Sequence, residues 1–233
     1  MEKSENKSDD GHTKRLVRKE HPFTRFKSDF IQSPVALLGL SLCVVIFLAA
    51  IFAPLITPQN PYDLATLDLM DSRLAPGEVG TTGMTHWLGT DDQGRDLYSA
   101  IIYGLRISLG VGVAAGFIAL VLGTTVGLCA AFFGGRTDTI IMRIVEFQLS
   151  FPAILIALIM LAVLGQGLDK IVIALVAVQW AYFARTVRSS ALVERNKEYM
   201  DAARCLGLSN FRIMFSHLMP NCLAPLIVVA TVQ

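Results

Sequence analysis

The chain has 233 residues, 53% of them hydrophobic and 17% charged, where soluble domains run at about 45–50% and about 25%. This balance excludes an ordinary soluble globular domain. A formal net charge of +1 also removes the bulk attraction by which basic proteins recruit nucleic acid, so no nucleic-acid partner is expected.

The first 32 residues carry eight of the twenty lysines and arginines, mixed with acids, and read as a cytoplasmic N-terminal tail. A charge-free run follows from Phe30 to Tyr62 and gives a first transmembrane span over 33–57. It exceeds the apolar stretch of a cleaved signal peptide, and a span needs about 20 apolar residues.

Residues 58–103 form an extracytoplasmic loop. The stretch 57–100 holds Pro58, Pro61 and Pro76, seven acids and two arginines. Gly89 to Gly94 suits a turn, and Leu97 onward suits a helix entering the next span. His86 lies near Asp91, Asp92 and Asp96, but the spacing matches no metal-ligand pattern. The loop therefore reads as solvated and acidic, with no metal site.

Residues 104–233 form the remaining core, with spans near 104–133, 139–163, 168–187 and 221–233, the last cut off at Gln233. In the second span two stripes of small residues recur every four positions: Gly104, Ser108, Gly112, Gly116, and Ala115, Ala119, Gly123, Gly127, Ala131, Gly135. Small stripes let backbones approach closely in lipid, so this helix is expected to pack on both sides. In the third span Arg143 and Glu146 sit three apart and can pair, while Pro152 is a candidate kink. The fourth span ends near Arg185, which can snorkel to the interface. If the spans alternate, sixteen of the twenty basic residues fall on the side of the N-terminus and of 188–220, which the positive-inside rule places in the cytoplasm. The four cysteines, Cys43, Cys129, Cys205 and Cys222, have no CxxC spacing and read as small buried hydrophobes.

The polar segment 188–220 reads as a helix–turn–helix outside the membrane. Helix formers run from Glu194 to Leu206, with Ala202 and Ala203 as a low-profile face. Gly207 supplies a left-handed stop, and Ser209 caps a second helix from Asn210 to about Leu218. Phe211, Met214, Phe215 and Leu218 fall at i, i+3, i+4 and i+7 and make an apolar stripe. Pro220 ends the run. Such a segment either lies on lipid headgroups or docks a cytoplasmic partner.

Three motifs carry a resemblance: Asp201-Ala202-Ala203-x3-Gly207-x12-Pro220; Leu88-Gly89-Thr90-Asp91, Gly94-Arg95-Asp96 and Gly104-x-Arg106-x-Ser108-Leu109; and Phe133-Gly134-Gly135, Asp138, Arg143, Phe151-Pro152. Together they resemble the inner-membrane permeases of ABC importers of the dipeptide, oligopeptide and nickel class, in particular the C-type permease subunit. The family often has Glu where Asp201 stands and Leu where Met219 stands.

The resemblance implies an all-α polytopic transmembrane helix bundle like a type I ABC importer permease, here with four complete spans and the start of a fifth. It implies a bacterial inner-membrane protein that pairs with a homologous permease and couples to two cytoplasmic ATPase subunits. Substrate, a peptide or related small solute, would arrive from an extracytoplasmic binding protein. The ATPase-docking loop would comprise Glu198, Asp201, Ala202, Ala203, Gly207, Phe211, His217 and Pro220. The outer family motif would comprise Gly89, Asp91, Gly94, Arg95, Asp96 and Arg106. No catalytic residue and no bound cofactor are expected, because the sequence holds no GxxxxGK[ST] phosphate loop and ATP would be hydrolysed by the partner.

Family members continue through a fifth and a sixth span, so the sequence ending at Gln233 is expected to be a C-terminally truncated permease. A secondary transporter or channel subunit, or a non-functional truncated permease, is the alternative. A transporter or channel of that kind should show mid-span ionisable residues or an inverted repeat, and neither is evident.

Overall fold

The computed structural model describes residues 30–63 and 67–232, so the tail reading of 1–32 lies outside the described residues except at its last three positions. The chain divides into two units, residues 1–48 and 49–233. The described part of the first is helical and contains most of α1, Pro34–Ile51. This helix has no charged residue, and Leu, Val and Ile side chains are exposed all around it. A helix apolar on every side belongs in lipid, where its own ladder satisfies every backbone group.

The second unit is built on two long helices, α3 (Leu97–Phe133) and α6 (Leu168–Arg195), after a short α2 (Ala53–Ile56). The stripe Ala115, Ala119, Gly123, Gly127, Ala131 is the seam of α3 against Ala174, Val178, Ala181, Ala184, Val187 and Ala191 of α6. The approach is close enough that a Cβ on Gly123 would lie 2.4 Å from the Trp180 carbonyl oxygen, and one on Gly127 2.4 Å from that of Ala184. The other stripe is not packed as expected. A Cβ at Gly104, Gly112 or Gly116 meets nothing within 4 Å, and among the described residues α6 is the only long helix on the seam side to answer α3.

Gly134 and Gly135, at φ 65° and 55°, turn the chain sharply from α3 into α4, Gly135–Leu149. The third span expected near 139–163, with Pro152 as its candidate kink, is two helices, α4 and α5 (Ala153–Leu164), bent by 89° at their junction. Pro152 explains the break: it offers no amide to the ladder and pushes Phe151 out of helical backbone. The Ser150 hydroxyl closes α4 on the Glu146 carbonyl at 2.7 Å. Arg143 and Glu146 do pair, at 3.4 Å, but on an exposed face.

The stronger tie is one the sequence does not announce. Arg188 on α6 grips Asp138 on α4 through two bonds of 2.6 Å each. Gln148 adds amide donation to the carbonyls of Ala177 and Val178. Helix α6 also runs eight residues past the expected span end at 187, because Ala191 is buried and Arg195 donates to the Ala131 carbonyl at 2.8 Å. Of the cysteines only Cys222 is buried; Cys43 and Cys205 are exposed.

Candidate functional site: two polar loops at the ends of the long helices

After α6 the chain makes α7, Glu198–Cys205, then α8 (Asn210–Arg212), a π-helical stretch Ile213–Leu218, α9 (Met219–Asn221) and α10 (Leu223–Val232). Gly207 ends α7 at φ 68°, with open space where a Cβ would stand, so its role is conformational. The Leu208 amide reaches back to the Ala203 carbonyl at 3.4 Å, and the Ser209 hydroxyl caps the next helix by accepting from the Arg212 amide at 3.4 Å.

The second helix is not the regular α-helix expected. Its i→i+5 turn brings Ile213 and Leu218 into line, and together with Met214 they enter one apolar core with Leu128, Ala131, Val187, Met200 and Ala203. The predicted stripe is therefore divided. Met214 and Leu218 face the bundle, whereas Phe211 stays 70% exposed and stacks on Phe215 with ring centroids 4.6 Å apart. The Ala202-Ala203 pair divides in the same way, with Ala202 outside and Ala203 buried.

Of the remaining expected residues, Glu198 and Pro220 are exposed, Asp201 pairs with Arg204 at 3.1 Å, and His217 is half-buried. Leu206, 77% exposed beside the Gly207 turn, joins them, and no local sequence signal marks its exposure. Leu206 and Phe211 are thus large exposed apolar side chains on a loop whose Met200, Ala203, Ile213, Met214 and Leu218 are buried.

The loop before α3 is not the solvated acidic segment expected. His86 and Asp96 are 1% and 0% exposed, and Asp71 is buried beside them. Asp96 caps α3: one carboxylate oxygen accepts from the Ser99 amide at 2.8 Å and hydroxyl at 2.6 Å, and the other meets His86 Nδ1 at 3.1 Å. Its own amide donates to Gln59 Oε1 at 2.8 Å. Asp71 accepts from the Thr81 amide at 2.7 Å.

The glycines of the motif make this burial possible. Gly94 at φ 72° would drive a Cβ to 2.1 Å from the Asp68 carbonyl oxygen, and Gly89 at φ 79° to 2.4 Å from that of Leu74. Asp91 folds the turn between them by accepting from the Gln93 and Arg95 amides, and the Arg95 side chain lies back on it at 3.1 Å. Arg106, ten residues along α3 from Asp96, is exposed and outside this cluster. Among the described residues no three His, Cys, Asp or Glu side chains converge as they would on a metal ion.

The family model described as the binding-protein-dependent transport system inner membrane component matches residues 119–233, and the one for the N-terminal TM domain of oligopeptide transport permease C matches 22–76. The chain is 37% identical over 213 residues to the di/tripeptide transport system permease protein DppC of Pseudomonas aeruginosa, an alignment spanning 91% of this chain and 69% of that one. It belongs to the binding-protein-dependent transport permease family.

Further members include the dipeptide transport system permease protein DppC of Alkalihalophilus pseudofirmus, 40% identical over 86% of this chain and 63% of that protein. The oligopeptide transport system permease protein OppC of Bacillus subtilis is 37% identical over 87% and 63%. The chain thus spans a little under two thirds of the length of several permeases that it matches. Family membership and the apolar helices make this an integral inner-membrane, multi-pass protein of all-α architecture.

Proposed function

We propose that the chain acts as the C-type permease subunit of an ATP-driven importer of peptides or related small solutes. It would pair with a homologous permease and receive substrate from an extracytoplasmic binding protein. Its N-terminus and the 198–220 segment would be cytoplasmic, where the segment docks a separate ATPase subunit that hydrolyses the ATP. The observation that carries the docking role is the pair Leu206 and Phe211, exposed on either side of the Gly207 turn while Ile213, Met214 and Leu218 fix the same loop to the bundle. Exposed apolar anchors on a rigid loop are what a partner's groove needs, and force on them passes into packed helices.

Changing both Leu206 and Phe211 to Glu is expected to remove the ATPase from the purified complex. Two apolar anchors of this kind are each worth about 2 kcal/mol at an interface, and a buried unpaired carboxylate costs more. Co-purification of the ATPase at wild-type stoichiometry would sink the docking role. A milder result is expected for Gly207→Val. There is room for the side chain, but the left-handed backbone costs about 1–2 kcal/mol for a non-glycine residue. The elbow shifts, and uptake should fall relative to ATP hydrolysis while membrane insertion is kept. Unchanged uptake at equal expression would count against a coupling role for the turn.

A further inference from the structure

The 198–221 loop leaves α6 and returns to α10, and its two ends meet at one hydroxyl. Tyr199 donates to Glu194 Oε2 at 2.9 Å, in the last turn of α6, and accepts from Asn221 Nδ2 at 3.3 Å, at the foot of α10. The same Asn221 nitrogen reaches the His217 carbonyl at 2.7 Å, and the other Glu194 oxygen takes Lys197 Nζ at 2.6 Å. The Tyr199 ring packs against the apolar core that holds Met200, Ile213 and Leu218, so the hydroxyl is held in place from behind.

We infer that Tyr199 is a positioning residue that ties both ends of the loop together, so that displacement of the loop moves α6 and α10 as one. Without this tie, only the covalent path and apolar packing join Glu194 to Asn221, and packing resists sliding far less than separation. The tie is built to stay closed: burial, and then the Glu194 carboxylate, push the phenol up to about 12, so it remains a donor at every physiological pH. The inference rests on the docking role proposed for this loop.

The test uses the full chain in its assembled importer, reconstituted in proteoliposomes with a labelled mixture of di- to pentapeptides. Uptake per ATP hydrolysed is read alongside ATPase stoichiometry. Tyr199→Phe keeps the ring and its packing and removes only the hydroxyl. It should lower uptake per ATP about fivefold, the order expected for loss of one hydrogen bond of about 1 kcal/mol, with the ATPase still bound. Glu194→Ala should do the same, whereas Glu194→Gln, which keeps an acceptor oxygen, should stay near wild type. Tyr199→Phe combined with Asn221→Ala should be no worse than Asn221→Ala alone, because either change opens the same Glu194–Tyr199–Asn221 chain.

Wild-type uptake per ATP in both Tyr199→Phe and Glu194→Ala overturns the inference, as does loss of the ATPase from Tyr199→Phe. Failure of the docking role shows separately, as ATPase retained by the Leu206→Glu, Phe211→Glu variant.

Discussion

Gly127→Leu is expected to leave little intact protein in detergent extracts. The new Cβ would lie 2.4 Å from the Ala184 carbonyl oxygen, 3.0 Å from its Cα and 3.1 Å from its carbonyl carbon. All three are backbone atoms of the facing helix, so no side-chain rotation relieves the clash and α3 must move away from α6. Overpacking costs about 1–3 kcal/mol where side chains can yield, and this site belongs at or above the upper end. Native stability is only about 5–15 kcal/mol. Gly123→Leu should behave alike, since its Cβ meets the Trp180 oxygen at 2.4 Å and Phe183 Cβ at 2.6 Å. Gly112→Leu, with nothing within 4 Å, is the control. Fluorescence-detected size-exclusion and thermal melts read the difference, and equal stability of Gly127→Leu and Gly112→Leu would contradict the seam.

Asp96→Ala should loosen the loop before α3 by about 2–4 kcal/mol, combining a lost helix cap of about 1 kcal/mol with a buried His86 nitrogen left unpaired at about 1–3 kcal/mol. Hydrogen exchange across residues 86–99, or limited proteolysis of the loop, measures it. Asp92→Ala is the matched comparison. Asp92 also has a close basic partner, Arg73 at 2.5 Å, but both side chains are 75% exposed, where solvent screens an ion pair. If the two variants protect the loop equally, the loop is a solvated segment after all.

That contrast marks the limit of what the sequence discloses. Charge-free runs located the long apolar helices, because an ionisable group is too costly in lipid to be scattered there. Turn chemistry located the Gly207 stop, the Ser209 cap and the start of α3 at Leu97, because those conformations are local. Burial of His86, Asp71 and Asp96 was not legible, since seven acids in one loop have the composition of a solvated surface. Only the fold brings Thr81 to Asp71 and His86 to Asp96. The Asp138–Arg188 pair joins positions fifty residues apart and leaves no local trace.

Periodicity groups Phe211, Met214, Phe215 and Leu218 on one face, whereas the structure divides them into a buried pair and an aromatic pair. The structure turns two of them inward through a π-helical winding that no propensity scale encodes. Pro152 was visible as a kink candidate, whereas the size of the bend depends on how Arg188 and Gln148 hold α4 to α6.

Helix α3 has 37 residues without a break, which at about 1.5 Å each makes a rod of about 55 Å, against a hydrocarbon core of about 30 Å. Its first turn is bolted into the buried cluster of the 57–96 loop through Asp96. Near its far end Leu128 and Ala131 share a core with Ile213 and Leu218 of the other loop. No proline interrupts the rod, so one continuous helix joins the two loops. A push on either loop is therefore expected to reach the other as a tilt of this helix.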